Sequence, residues 1–305
     1  MKPLIEVTDL CKDFNGFKAV HNLSFTVPEN SVFGFLGQNG AGKSTTLRMM
    51  LSLIQPSAGN IQMFGYPLAT HRREVLRQVG AVIEKPDLYK YVSALDNLKI
   101  FAALREKKFA DKELKDHLAI FSLADRANSK VGAFSQGMKQ RLGIAVALLH
   151  NPALVILDEP TNGLDPQGIA DMRTLIMHLK NDLGKTVIIS SHLLKEISEV
   201  ADYMLIIHKG EKKVEGQVSE LFNPSETLVQ LQTGDNSAAV EHIKRSVLST
   251  YFYKEEGKQL LLKMHKDKVP QALRDLTALP VDILSYQSIP SLEDYFLQIT
   301  KDEKA

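Results

Sequence analysis

The chain has 305 residues, of which 44% are hydrophobic and 24% charged, values typical of a soluble globular protein. Its 37 Lys and Arg against 36 Asp and Glu give a formal charge of +1, so no basic excess favours a nucleic-acid surface. A single cysteine excludes an internal disulfide, and no secretion signal or apolar stretch of about 18 residues is evident. We therefore expect a cytosolic protein of two domains, with any membrane role exerted through a partner.

The N-terminal part predicts a β-rich region followed by a strand, a loop and a helix. Alternating apolar residues in LIEVTDL (4–10) and HNLSFTVPEN (21–30) predict two strands, with DFNGF as the turn between them. The apolar run SVFGFL (31–36) predicts a short buried strand. A glycine-rich loop follows it, and the apolar spacing after residue 44 indicates a helix.

The remaining pattern predicts a helical insert, an α/β core and a second domain. From about residue 68 to 150 the apolar residues recur at helical spacing. ALVILDEP (153–160) and KTVIISSH (185–192) predict buried parallel strands, separated by an amphipathic helix that Gly184 ends. The composition shifts afterwards to alternating strands and helices, and we place a boundary near residue 220.

The loop GQNGAGKS (37–44) fits a phosphate-binding pattern of Gly, four residues, then Gly-Lys-Ser. Its glycines let backbone N–H groups point at phosphate oxygens, and the helix that follows adds its dipole. We expect Lys43 to reach the terminal phosphates, Ser44 to bind Mg²⁺ and Thr45 to contact an inner phosphate. The predicted nucleotide contacts here are Gly37, Gln38, Asn39, Gly40, Ala41, Gly42, Lys43, Ser44 and Thr45.

Two adjacent acids and a histidine end the two later strands, where open α/β sheets place their ligand crevice. Asp158 suits Mg²⁺ coordination, and Glu159 suits a general base that polarises the attacking water. The alternative is that both acids cap the following turn, although adjacent carboxylates after an aliphatic strand favour a bound ion. His192 is expected to face the same crevice, its alternative being a structural histidine.

The motifs GQNGAGKS, FSQGMKQR, LVILDEP, GLDP and SSH, in this order, resemble those of the ATP-binding subunits of ABC transporters. The resemblance covers residues 4–220 and implies a P-loop NTPase cassette of α/β class. It implies an N-terminal antiparallel β subdomain, a helical signature subdomain at about 85–150 and a small α+β extension at 221–305. It also implies ATP hydrolysis by a homodimer that drives a separate multi-span permease at the cytoplasmic face of the membrane.

In the family that the chain resembles, ATP lies between two subunits, and the phosphate loop of one faces the signature sequence of the other. FSQGMKQR (134–141) is similar to that signature: Ser135 offers a hydroxyl, Gly137 admits close backbone approach, and a helix begins there. Taken alone, the same residues could be an ordinary helix cap. The resemblance also implies that Asp165 lies in the loop that communicates across the dimer.

The resemblance assigns further roles to two aromatic residues and to His192. Phe14 matches the aromatic that stacks on adenine, with Phe17 as its rival, and core packing is the alternative role for either side chain. His192 matches the switch residue that contacts the γ-phosphate.

Two departures from the common family pattern indicate a subfamily. Gln136 and Met138 replace a Gly and a Gln of the commoner signature, and Glu84 stands where a Gln usually reaches Mg²⁺. A carboxylate can still ligate Mg²⁺, so Glu84 is a metal-site candidate, with a surface acid beside Lys85 as the alternative. These departures resemble the branch that exports bacitracin and lantibiotic-type peptides and confers resistance to them.

The end of the chain predicts a helix with a shared apolar face, formed by Leu292, Tyr295, Phe296 and Ile299. The extension that it ends could regulate the ATPase, support the dimer or act as a passive structural cap.

Two other classes of function compete with a transporter subunit. A soluble ATPase of the same superfamily could act on ribosomes or nucleic acid, but the chain has one cassette, no sustained heptad run and a neutral charge balance. A P-loop kinase or switch GTPase would lack the signature and GLDP sequences.

Overall fold

The computed structural model describes residues 3–105, 108–221, 227–256 and 259–290. The chain divides into two compact units, residues 1–218 and 219–305, and each has its own hydrophobic core. Within the described ranges, every helix is too short or too polar to cross a membrane.

The first sheet of unit one is an antiparallel β subdomain with strand order β2–β1–β4–β5. Its strands are β1 (Pro3–Phe14), β2 (Phe17–Pro28), β4 (Ala58–Met63) and β5 (Tyr66–Pro67). The predicted turn between the first two strands is present, and Asn15 and Gly16 both take the left-handed conformation that such a tight hairpin requires. This hairpin places Phe14 and Phe17 opposite each other at its tip.

The second sheet has the order β10–β9–β3–β8–β7–β6 and carries the predicted motifs. Its strands are β3 (Val32–Leu36), β6 (Val79–Val82), β7 (Leu154–Leu157), β8 (Thr186–Ser191), β9 (Tyr203–His208) and β10 (Glu211–Gln217). All neighbours pair in parallel except β10, which is antiparallel to β9. The carboxyl ends of β3, β7 and β8 therefore meet at one edge, where a ligand crevice is expected.

Helices cover this sheet and form the helical subdomain. They are α1 (Lys43–Met50), α2 (Arg72–Leu76), α3 (Ala94–Leu104), α4 (Asp111–Ile120), α5 (Gln136–Leu148), α6 (Pro166–Asn181) and α7 (Leu194–Ser198). The short helix α8 (Val218–Leu221) lies at the boundary between the two units. The three helices α3, α4 and α5 pack on one another within the predicted helical insert. Gly184 lies just beyond α6 in the left-handed conformation.

Strand β6 differs from the expectation of helices between residues 68 and 150. The pattern before it forms only the short helix α2, and residues 79–82 pair in parallel with residues 154–157. A four-residue buried strand has too few residues to show a period of its own. Its pairing partner is also distant in sequence, so the local spacing of apolar residues does not indicate this strand.

In its described residues, unit two forms a four-stranded antiparallel sheet with the helices α9 and α10 packed on one face. In chain order it contains β11 (Thr227–Thr233), α9 (Asn236–Lys244), β12 (Phe252–Glu256), β13 (Gln259–Met264), α10 (Val269–Thr277) and β14 (Ile283–Pro290). The sheet order β12–β13–β11–β14 makes this a split βαβ arrangement of ferredoxin-like type. The helix predicted around Leu292, Tyr295, Phe296 and Ile299 lies outside the described residues.

Close backbone contact between β6 and α5 requires a glycine at position 80, and this gives a stability prediction. A Cβ built on Gly80 would overlap the carbonyl oxygen of Ala147, which is backbone and cannot move aside cheaply. We expect Gly80→Ala to lower the free energy of unfolding by about 1–3 kcal/mol, measured by denaturant titration. Gly234→Ala is the control, because its new Cβ would meet ordinary contacts no closer than 3.5 Å. Equal stability of the two variants would contradict the packing described here.

Candidate nucleotide site

The glycine-rich loop connects β3 to α1 and folds around the Lys43 side chain. Gly40 and Gly42 have positive φ angles of 80° and 105°, which residues other than glycine rarely adopt. The Lys43 ammonium is 5% exposed and donates hydrogen bonds to the carbonyl oxygens of Gly37 (2.6 Å) and Gln38 (3.3 Å). Gln38, Asn39 and Gly40 are exposed at the tip, and Ser44 is half-buried in the first turn of α1. The loop therefore presents backbone groups and one ammonium at the edge of the sheet.

Asp158 and Glu159 follow β7 at the same edge, and Ser190 of β8 connects them. The Ser190 hydroxyl donates to Asp158 Oδ1 at 2.5 Å and accepts the Glu159 backbone N–H at 2.8 Å. Asp158 is 1% exposed, whereas its neighbour has a side chain that is 19% exposed. The two adjacent carboxylates thus have different environments, one fixed and buried and the other facing the crevice.

The Glu159 carboxylate contacts the phosphate-loop Lys43 and the other predicted catalytic residue, His192. Its Oε1 lies 3.2 Å from Lys43 Nζ, and its Oε2 lies 2.9 Å from His192 Nδ1. The backbone of Glu159 has a φ of 48°, a left-handed conformation that is uncommon for this residue type. The Glu159 side chain, at the end of β7, is therefore the point where groups from the end of β8 and from the phosphate loop meet.

Glu84 lies in the segment after β6, and its carboxylate pairs with the Arg48 guanidinium of α1. Arg48 is one helical turn after Ser44, so the pair is on the helix that carries the phosphate loop. The Glu84 side chain is 66% exposed and its backbone is left-handed, with a φ of 60°. The metal-binding role of Glu84 stays a prediction, and Arg48 is a partner that the sequence did not indicate.

Oxygen donors of the kind that Mg²⁺ prefers are present at this edge in Ser44 and Asp158. In the described part of the chain, no three His, Cys, Asp or Glu side chains converge as a metal-binding group.

The predicted signature forms the N-terminus of α5, and its residues contact the loop that contains Asp165. Ser135 is the N-cap, and its hydroxyl accepts the Met138 backbone N–H at 3.2 Å. Gln136 donates its side-chain amide to the Asn162 carbonyl oxygen at 3.0 Å, and Asp165 caps α6 by accepting the Gly168 N–H at 2.9 Å. A cleft of about 380 Å³ lies between these segments.

The two aromatic candidates are both outside the core. Phe14 is 46% exposed and Phe17 is 65% exposed, so neither serves as a packing residue. Lys12 Nζ lies 4.9 Å from the centre of the Phe14 ring, within cation–π distance.

Ser190 is the functional candidate that sequence reasoning missed. In the parallel pair, Leu157 lies opposite Ile189, so the next step of the register brings Asp158 beside Ser190. The sequence would have indicated a role for Ser190 only if β7 and β8 had been assumed to be neighbouring strands.

Comparison with known proteins is consistent with these features. The ABC transporter family matches residues 20–162. The bacitracin transport ATP-binding protein BcrA of Bacillus licheniformis is 39% identical over 303 residues, 98% of each chain. The lantibiotic transport ATP-binding protein SrtF of Streptococcus pyogenes is 37% identical over 226 residues, 72% of this chain and 96% of that protein.

Solved structures support the same fold. The ATP binding subunit of an ABC transporter matches with a TM-score of 0.62 at 31% identity, over 72% of this chain and 91% of that chain. At 23% identity, which shows the fold alone, an ATP-binding cassette that is dimeric in a post-hydrolysis state with ADP and Pi matches with a TM-score of 0.62, over 70% of this chain and 98% of that one.

These findings confirm the predicted P-loop NTPase fold and the resemblance to the bacitracin and lantibiotic branch, and they do not favour an ATPase acting on ribosomes or nucleic acid. The chain belongs to the ATP-binding subunits of ABC transporters and is an ATP-hydrolysing enzyme.

Proposed function

We propose that this chain powers the export of antibiotic peptides or other hydrophobic compounds through a separate multi-span permease, and so contributes to antibiotic resistance. The near full-length similarity to a bacitracin transport protein supports the substrate class. The permease would place the chain at the cytoplasmic face of the membrane. The extension from residue 221 onward is a candidate regulatory or dimer-supporting domain.

The convergence of Lys43 and His192 on the Glu159 carboxylate carries the proposed chemistry. A carboxylate in this place can accept a proton from a water molecule as that water attacks the γ-phosphate. Lys43 would neutralise the terminal phosphates, and His192 would contact the γ-phosphate while it orients Glu159. The hydrogen bond from its backbone N–H to Ser190 anchors the main chain of Glu159 at the end of β7, and Lys43 would exchange the Glu159 carboxylate for the phosphates when ATP binds.

Ser44 and Asp158 are the groups that we expect to hold Mg²⁺, which would offset the charge of the phosphates. Ser190 supports this role because its hydrogen bond orients Asp158. Glu84 could join them only by exchanging Arg48 for the metal ion, since its carboxylate now pairs with that guanidinium. The Glu84–Arg48 pair therefore gives this chain an ion pair where the commoner sequence has a neutral glutamine.

The nucleotide site is proposed to be completed by a second copy of the chain. Ser135 and Gly137 lie at the N-terminus of α5, whose first backbone N–H groups and dipole favour an anion. A γ-phosphate bound in the partner's loop would meet these groups, with Asp165 and the loop around it beside them. A homodimer then contains two equivalent composite sites.

Phe14 is the proposed adenine platform, and this predicts a difference between the two exposed aromatics. We expect Phe14→Ala to weaken ATP binding by about tenfold, which corresponds to the loss of one base-stacking contact. Phe17→Ala is the matched control and should change the affinity little. The affinity is measured by fluorescence titration with a labelled ATP analogue. If only Phe17→Ala weakened binding, Phe17 and not Phe14 would be the adenine platform.

Glu159→Gln tests the proposed catalytic base and dimer together. We expect ATP hydrolysis to fall by at least about 100-fold, because the amide cannot accept the proton. The ATP-bound dimer should accumulate, and size-exclusion chromatography with light scattering will detect it. Glu199→Gln removes an acid outside the site and should preserve turnover. A Glu159→Gln protein that hydrolyses ATP normally, or stays monomeric at saturating ATP and Mg²⁺, would contradict the proposal.

A further inference from the structure

The carboxylate of Glu196 connects the two loops that carry Glu159 and His192. Its Oε2 accepts a hydrogen bond from the Thr161 hydroxyl at 2.7 Å and another from the Ser191 hydroxyl at 2.6 Å. Both donors are buried, at 8% and 2% exposure. Hydrogen bonds from hydroxyls to a carboxylate are among the strong ones in proteins, so this oxygen holds both loops firmly.

Each hydroxyl lies next to one member of the catalytic pair. Thr161 is two residues after Glu159, and Ser191 directly precedes His192. The Ser191 oxygen also accepts the Leu193 backbone N–H at 3.0 Å, which closes a tight turn around the histidine. The separation of 2.9 Å between His192 Nδ1 and Glu159 Oε2 thus depends on where Glu196 holds these two loops.

Helix α7 carries Glu196 and is anchored in the core. Ile197 is fully buried and contacts the Gly34 backbone of β3, where any Cβ would overlap the Ile197 side chain. Leu194 is also buried in this short helix. Strand β3, which leads into the phosphate loop, therefore packs against α7, and α7 carries the residue that contacts the loops of Glu159 and His192.

We propose that Glu196 is a positioning residue, which sets the distance and orientation between Glu159 and His192 without contacting the reacting groups. This inference rests on the proposed roles of Glu159 and His192. The positioning role requires that one side-chain oxygen of residue 196 accept both hydrogen bonds. A glutamine could still accept both through its carbonyl oxygen. An alanine could accept neither.

The experiment compares steady-state ATP hydrolysis and nucleotide affinity in full-length Glu196→Ala, Glu196→Gln and Thr161→Ala proteins. We expect Glu196→Ala to lower kcat by about 10- to 100-fold, as for a catalytic group displaced by about 1 Å, while KM for ATP changes little and the protein stays folded at the assay temperature. Glu196→Gln should retain kcat within about threefold, because its carbonyl oxygen replaces the accepting atom. The double variant Glu196→Ala/Thr161→Ala should be no slower than Glu196→Ala, because the Thr161 hydroxyl donates to the Glu196 carboxylate and both changes break that link.

Two controls separate this inference from the proposed function. Glu199 lies at the end of the same helix and pairs with Arg173 instead of either loop. The Glu199→Ala protein should therefore keep normal turnover. Glu159→Gln is assayed in parallel, and normal hydrolysis by that protein would overturn the proposed function itself. If Glu159→Gln is inactive, three results would overturn the positioning role alone. They are normal kcat in Glu196→Ala, an equal loss in Glu196→Gln, and a loss explained by weaker ATP binding or unfolding.

Discussion

The restraint on the Glu159 carboxylate is the interaction on which the rest of the candidate site depends. A left-handed backbone at this residue costs about 1–3 kcal/mol and persists only when its surroundings hold it. Here the Ser190 hydroxyl fixes the backbone N–H, while Lys43 and His192 hold the two carboxylate oxygens. The strain is thus stored at the place where a preorganised base is useful.

Sheet topology brings these groups together. Strand β8 lies between β3 and β7, so the phosphate loop, the acids and the histidine all leave the same edge from adjacent strands. Fully buried strands make that edge rigid, and Gly34 lets α7 approach close enough to support the loops above it. Packing deep in the sheet is in this way connected to the geometry of the catalytic pair.

Local sequence predicted most of the parts of the site, but not the contacts that hold them. Gly42 and Lys43 stand in a motif whose spacing implies its function, and the ends of the buried strands predicted where Asp158, Glu159 and His192 would meet. Contacts such as those of Ser190 and Glu196 depend on which strands are neighbours. The Ser190–Asp158 and Glu196–Thr161 contacts join residues 32 and 35 positions apart in the chain, so no local pattern encodes them.

The same limit explains β6 and the Glu84–Arg48 pair. The strand at 79–82 is specified by its partner at 154–157, and Glu84 meets Arg48 only because the segment after that strand passes beside α1. The signature at Ser135 and Gly137 is different again, since its ligand is proposed to come from a second molecule. Its role can be tested only in the assembled dimer.

Mixing two inactive chains tests the central claim, that each site is shared between two copies, most directly. One chain carries Glu159→Gln and the other carries Gly137→Asp, which the fold can accept because a Cβ at Gly137 meets nothing closer than 3.8 Å. Each homodimer has two defective sites, whereas the mixed dimer collects both defects in one site and leaves the other intact. An equal mixture should therefore recover ATPase activity, up to about a quarter of normal when the two chains pair at random, because half of the dimers then have one working site of two. A mixture as inactive as its two components, or normal activity of the Gly137→Asp chain alone, would contradict the shared site.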